Sequence, residues 1–204
     1  MTEFDQNRAA EDLQYIRRIM QDSRRITAER GDGFILWGII VLLGFLGSAA
    51  DAFGWWEVSA GYTWTVLVVL GWVWMFIHTR RFDVSVMVNP LAKKMLDSLW
   101  TAVLIAMTLL GFLGTLTGVV DGNNLSGVLF IVLGIGYFIQ GSLMDRTWVR
   151  MLGVGWWIGG VTTFYTGIRL DFILSVAMMI GLQIVPGIIF YRTWKRHIAA
   201  LTDD

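Results

Sequence analysis

The chain contains no cysteine among its 204 residues. Disulfide bridges, thiolate metal sites and cysteine nucleophiles are therefore excluded. Histidine is also scarce: the two present, His78 and His197, stand far apart in the sequence, which argues against a haem or metal pair. Both are expected to be solvated or interfacial, and no cofactor is predicted.

Charge is the second scarcity. Only 16% of the residues are charged, whereas 55% are hydrophobic and the mean hydropathy is +0.60, which is unlike a soluble domain. At about 18 residues or more, a charge-free helix can cross the hydrocarbon core of a membrane. Six stretches of that length lack Asp, Glu, Lys and Arg: residues 33–50, 58–79, 98–120, 122–144, 151–168 and 172–191.

Lipid offers no hydrogen bonds to an open backbone, and these uninterrupted apolar runs fit helices rather than the alternating pattern of a barrel. The sequence therefore predicts an all-α, polytopic membrane protein with six transmembrane helices. The predicted organisation is a cytoplasmic N-terminal segment over 1–32, a transmembrane domain over 33–192 and a cytoplasmic tail over 193–204.

The positive charges predict the orientation. Fifteen of the sixteen Lys and Arg residues lie in the N-terminal segment, in the connections between spans 2 and 3 and between spans 4 and 5, and in the tail. Only Arg169 lies in the other connections. Six alternating helices place the fifteen on one face, which the positive-inside rule makes cytoplasmic. Both termini are predicted to lie on that side of the cytoplasmic membrane.

The opening stretch "YIRRIMQDSRR" belongs to an amphipathic segment. On a helix of about 100° per residue, residues 11–26 gather apolar side chains on one arc and polar side chains on the other. Such a helix is expected to lie in the membrane interface with its arginines toward anionic headgroups. Packing on the bundle ends or against a partner helix is the alternative. The candidate contacts are Arg17, Arg18, Arg24 and Arg25.

Two further cytoplasmic features bear on partners. Asn89 and Pro90 predict a helix start, which places Lys93 and Lys94 at headgroup level. Residues 1–32 carry six basic groups against seven acidic ones. Since counterion release needs a basic excess, no nucleic-acid partner is predicted. The expected partners are the lipid bilayer, its anionic headgroups and a protein on the cytoplasmic face.

Uncharged polar residues within the spans form a candidate intramembrane site. Gln183 should turn inward, since an amide in hydrocarbon needs a partner. Pro186 removes a backbone donor, frees the carbonyl of Leu182 and predicts a kink. Either the region is part of a site for a small solute or lipid, or Gln183 makes one interhelical hydrogen bond and the kink improves packing, which is favoured. The candidate residues are Thr65, Thr108, Tyr137, Gln183 and Pro186.

Glycines and one repeat complete the pattern of the spans. Gly114 and Gly118 have small-xxx-small spacing, and the glycine-rich stretch 153–160 lies in the fifth span; both predict close helix packing. The sequence "LLGFLG" occurs at residues 42–47 and 109–114. It suggests duplicated hairpins, with coincidence in a Leu- and Gly-rich chain as the alternative.

Three stretches, "IRRIMQDSRR", "RTWVRMLGVGWWIGGVTTFYTGI" and "GLQIVPGIIFYR", together resemble an uncharacterised family of small six-helix bacterial inner-membrane proteins. In that family a basic helix precedes span 1, an "IR-x-LG" element opens span 5 and an aromatic-basic tail ends span 6. Residues 149–153 hold the span 5 element here, with Val149 in place of isoleucine. The resemblance implies the bacterial inner membrane and implies no activity.

Two functions remain open at this point. The first is an interaction or regulatory element of the membrane that works through the N-terminal helix and the 79–97 connection. The second is a transporter or channel for a small neutral solute or lipid that uses the Gln183–Pro186 region. No enzyme is predicted, because the spans contain no recognisable carboxylate pair, metal cluster or activated nucleophile.

Overall fold

The computed structural model describes residues 31–81 and 90–202, with side chains for 31–77, 94–167 and 170–196. Two π-helical segments interrupt the helices: Leu110–Gly114 continues the helix Pro90–Leu109, and Met179–Ile184 joins Ile168–Met178 to Val185–Thr202. No strand occurs in the described ranges, so the all-α prediction is confirmed. The helices are α1 Asp32–Ala52, α2 Ala60–Arg81, α3 Pro90–Leu109, α4 Leu125–Leu143, α5 Thr147–Thr163, α6 Ile168–Met178 and α7 Val185–Thr202.

Five helical segments are long and apolar enough to cross a membrane. Their outer faces carry large apolar side chains that water would not accommodate. On α2 only 6% of the apolar window is buried, and Leu70 and Phe76 are more than half exposed. The chain is therefore a multi-pass membrane protein. The five segments are Asp32–Ala52, Ala60–Ile77, Lys94–Gly114, Gly122–Leu143 and Leu170–Arg196.

The most extensive helix contact joins α4 to α5, which are connected by the short turn 144–146. Glycines bring the two backbones together: a Cβ on Gly153 would lie 2.7 Å from the Gly134 carbonyl oxygen, and one on Gly127 would lie 2.8 Å from that of Gly160. The Trp157 indole N–H also donates to the Ile131 carbonyl at 3.1 Å. The close packing predicted for the glycine-rich fifth span is thus confirmed.

The other predicted glycine pair behaves differently. Gly118 has a φ of 70° and nothing within 4 Å of a Cβ built on it, so it lies in a turn and not in a helix interface. The second "LLGFLG" copy also differs from the first: residues 42–47 are regular α-helix, whereas Leu110–Gly114 is π-helical. The two copies of the repeated sequence therefore differ in backbone conformation, since their backbone hydrogen bonding differs.

Helix α1 lies against the π segment Met179–Ile184 and α7, and this contact positions the candidate site. Gly31 has a φ of 71°, and its Cβ would lie 2.7 Å from that of Phe190. Further along, a Cβ on Gly187 would lie 3.0 Å from that of Phe34, and one on Gly38 would lie 3.2 Å from Gln183 Cγ. Small residues therefore let α1 pass directly over the Gln183 side chain.

Helices α1 and α2 form a second hairpin with polar ties. The Asp51 carboxylate accepts a 2.8 Å hydrogen bond from the Ala60 amide at the start of α2. Deeper in the hairpin, the Trp64 indole N–H donates to the Ser48 hydroxyl at 2.9 Å. These bonds hold α2 against α1, while the rest of α2 lies at the periphery of the bundle.

Candidate functional site

Gln183 and Tyr137 meet in the interior of the bundle. Their side chains are 4% and 0% exposed, and the Tyr137 hydroxyl donates to Gln183 Oε1 at 2.8 Å. The other end of the amide, Nε2, donates a longer 3.5 Å hydrogen bond to the Phe34 carbonyl. One side chain thereby joins α4, the π segment and α1.

Aromatic rings surround this polar contact. Phe34 lies 4.8 Å from Trp100, 5.5 Å from Tyr137 and 5.9 Å from Phe190 between ring centroids. Trp156, which is fully buried, stacks on Tyr137 at 6.3 Å. The rings bury the hydrogen bond between Tyr137 and Gln183, which is strengthened because the local dielectric is low.

A cavity of about 310 Å³ opens between α1, α2 and α3. Its inner end is formed by Leu133 of α4 and by Met179 and Gln183 of the π segment, so the buried amide is part of its wall. The volume lies within the range of about 300–1,000 Å³ that is usual for small-molecule sites. Irregular π turns also occur frequently at functional sites. The cavity is the candidate functional site.

Of the five sequence-predicted site residues, only Gln183 lines the cavity. Tyr137 and Gln183 are in contact, and Pro186 is buried in the first turn of α7, just after the π segment. Thr108 instead accepts from the Trp72 indole at 3.2 Å and donates to the Leu104 carbonyl. Thr65 is exposed on α2 and bonds only its own helix, at the Gly61 carbonyl. Thr108 and Thr65 are thus helix contacts outside the cavity wall.

Most of the residues predicted to contact lipid headgroups lie outside the part of the chain that the structure describes. Lys94 is exposed near the start of α3, which begins at Pro90 as the sequence predicted. The side chain of Lys93 lies outside the described residues. The same holds for the four arginines of the N-terminal segment, Arg17, Arg18, Arg24 and Arg25.

Sequence reasoning missed several buried polar groups. Gln140 is fully buried, with Nε2 donating to the Met144 sulfur at 3.6 Å. In the described part of the chain, the Ser175 hydroxyl and the Trp156 indole N–H are buried without a hydrogen-bond partner. Helical spacing was the available signal: Gln140 follows Tyr137 by three residues, and Ser175 precedes Gln183 by eight.

Among the described residues, no group of three or more His, Cys, Asp or Glu side chains is placed to hold a metal ion. No protein-family model, curated protein or solved structure matches the chain. The resemblance to six-helix bacterial inner-membrane proteins therefore stays a prediction.

Proposed function

We propose that this protein is a carrier that binds a small, largely apolar molecule, a lipid or a small solute, in the cavity between α1, α2 and α3. The observation that carries the proposal is the position of Gln183, a buried amide at the inner end of an otherwise mainly apolar wall. Ligand sites of this kind combine hydrophobic surface with a few fixed polar groups.

The amide retains hydrogen-bonding capacity for such a ligand. A glutamine side chain offers two N–H donors and a carbonyl oxygen with two lone pairs. Tyr137 uses one lone pair, and the Phe34 carbonyl takes one donor at the long distance of 3.5 Å. A polar group on a bound molecule therefore has a partner at the end of the cavity, while its apolar body packs against the aromatic walls.

Flux into proteoliposomes and native mass spectrometry of gently released protein test the proposal together. Gln183→Leu keeps the side-chain size and removes the amide, and we expect about a tenfold loss of bound ligand and of flux, as for one buried hydrogen bond. Thr65→Val is the matched control, because Thr65 is exposed on α2 and outside the cavity wall. Full flux and retained ligand in Gln183→Leu would remove the proposed site.

We further propose six spans, with both termini cytoplasmic, in the bacterial inner membrane. Helix α5 has 17 residues and a length of about 25 Å, close to what a span needs. It follows α4 after three residues and packs along it, which favours a return across the membrane. Residues 11–26 then form an interfacial helix on the cytoplasmic side.

An interaction or regulatory role is the second proposal, supported by the fifteen of sixteen positive charges that six spans gather on one face. Replacement of Arg17, Arg18, Arg24 and Arg25 by Gln should release the protein's contact with anionic lipid or a cytoplasmic partner in cross-linking experiments. Arg169→Gln, on the opposite face, is the control. Unchanged cross-links in the fourfold variant count against this role. Neither proposal includes a catalytic activity.

A further inference from the structure

The walls of the cavity are strongly aromatic. Four rings from three helices line it, and in T-shaped contacts Phe34 meets Trp100 at 4.8 Å and Trp37 approaches Trp72 at 6.2 Å. Ring faces carry a negative quadrupole and attract cations, most strongly when water is excluded. The four lining rings are Phe34, Trp37, Trp74 and Trp100.

Two carboxylates lie in the same wall. Asp32 begins α1, and Asp97 is the eighth residue of α3; both line the cavity. Of the lining residues in the described part of the chain, none is Lys or Arg. Both acids also take part in other interactions, so a bound cation would share them. The described part of the wall is thus better suited to positive charge than to an anion.

Three methionines are among the other residues that line the cavity. Met75, Met107 and Met179 reach the cavity from α2, α3 and the π segment. Methionine is unbranched, flexible and polarizable, and surfaces rich in it repack around ligands of different shape. A site lined in this way selects a chemical class more than one rigid outline.

We propose that the cavity selects lipophilic organic cations: amines or quaternary ammonium compounds with an apolar body. The ammonium group lies among the four rings near Asp32 and Asp97, and the remaining, mainly apolar part of the molecule packs along the wall as far as Leu133, Met179 and the Gln183 amide. The inference rests on the proposed function, because it takes the cavity as the ligand site, and it narrows the ligand from any small, largely apolar molecule to one that also carries a positive charge.

The test compares two molecules of the same shape. Benzyltrimethylammonium and its neutral carbon isostere neopentylbenzene differ only in one positive charge. Equilibrium dialysis with the purified full-length chain, referenced to protein-free micelles of the same detergent, gives a Kd for each. We expect the cation to bind at least about tenfold more tightly, since it alone gains the ring and carboxylate contacts.

Variants then assign the charge effect to the cavity. Asp32→Asn and Asp97→Asn should each raise the Kd of benzyltrimethylammonium about two- to fivefold, as for a partly solvated charge contact. Neopentylbenzene should bind these variants unchanged, which shows that the cavity is intact. Glu57→Gln, in the exposed turn between α1 and α2, removes the same charge elsewhere and should leave both Kd values unchanged.

The outcomes separate the two proposals. Equal affinity for the two compounds overturns the cation inference and leaves the cavity as a site for apolar molecules. Binding of neither compound overturns the inference together with the cavity as a ligand site. A preference for the cation that is undiminished when Asp32→Asn and Asp97→Asn are combined places the selectivity elsewhere and also overturns the inference.

Discussion

The Tyr137 hydroxyl donates a 2.8 Å hydrogen bond to the side-chain carbonyl of Gln183, a residue 46 positions later in the chain. The contact joins α4 to the only irregular segment between α6 and α7, and it lies at the inner end of the cavity. A buried hydrogen bond at this position fixes the rotamer of the amide. It thereby links the packing of the bundle to the proposed binding site.

Removal of the Tyr137 hydroxyl is expected to destabilise the bundle. Tyr137→Phe keeps the ring contacts with Phe34 and Trp100 but deprives Gln183 Oε1 of its donor. Interhelical hydrogen bonds in membrane proteins contribute about 0.6–2 kcal/mol. We expect the free energy of unfolding in detergent to fall by a value in that range, measured by thermal or denaturant unfolding.

A double-mutant cycle provides the control. If the two side chains act through their mutual hydrogen bond, Tyr137→Phe combined with Gln183→Leu should cost less than the sum of the single changes, because either one already removes the bond. Strict additivity would show that the contact contributes nothing to stability.

The α4–α5 contact should be intolerant of a single methyl group. Gly153→Ala places a Cβ 2.7 Å from the Gly134 carbonyl oxygen and 2.8 Å from the Phe138 amide nitrogen. Since both are backbone atoms, the helices must separate, and we expect a loss of about 1–3 kcal/mol in unfolding free energy. Gly181→Ala is the control, because a Cβ there has nothing within 4 Å. Equal stability of both variants would refute the close packing.

Much of this fold could be predicted from the charge-free stretches of the sequence. The bounds of α1, α2 and α4 lie within three residues of the limits of charge-free stretches, because lipid excludes charge and demands internal backbone hydrogen bonds. Pro90 likewise predicted the start of α3, since a proline tolerates only the first turn of a helix. Gln183 was also identified as an inward-facing residue from the cost of burying an amide.

The remainder depends on contacts between distant segments. No local pattern marks Met179–Ile184 as a π turn. None brings Phe34 over Gln183 either, because that contact depends on how α1 packs against the π segment and α7. The cavity could not be predicted either. Its rings and carboxylates come from α1, α2 and α3, and the periodicity of the sequence does not give the relative positions of these helices. Thr65 and Gln140 show the same limit within a single helix. The sequence gives the depth of a residue in the membrane, but it does not tell which face of the helix is buried: Thr65 is exposed and Gln140 is buried.

The turn between α1 and α2 should depend on Asp51. Its carboxylate accepts from the Ala60 amide at 2.8 Å and so serves as a cap for the first turn of α2. Loss of such a cap costs about 1 kcal/mol. Asp51→Ala should therefore lower stability by about that amount and increase hydrogen exchange at the first amides of α2. Glu57→Ala, in the same turn but exposed, should change neither measurement.

Side-specific labelling can determine the number of spans, because the chain has no cysteine of its own. We expect single cysteines at Glu57, Asn123 and Tyr165, which are exposed in connections between the long helices, to react with an impermeant thiol reagent added to intact spheroplasts. Cysteines at Ser142 and Lys195, which are also exposed, should react only after the membrane is opened.

Tyr165 is the deciding position, because it follows α5. If α5 does not cross the membrane, a cysteine at residue 165 stays on the side of residue 142, and the last helix carries residue 195 to the opposite side. With five spans, therefore, the cysteine at residue 165 is protected and the one at residue 195 is accessible, whereas those at residues 57 and 123 react as with six spans. The exchanged pattern would contradict six spans and place the C-terminal tail outside, while protection of all five positions before opening would contradict the alternating topology itself.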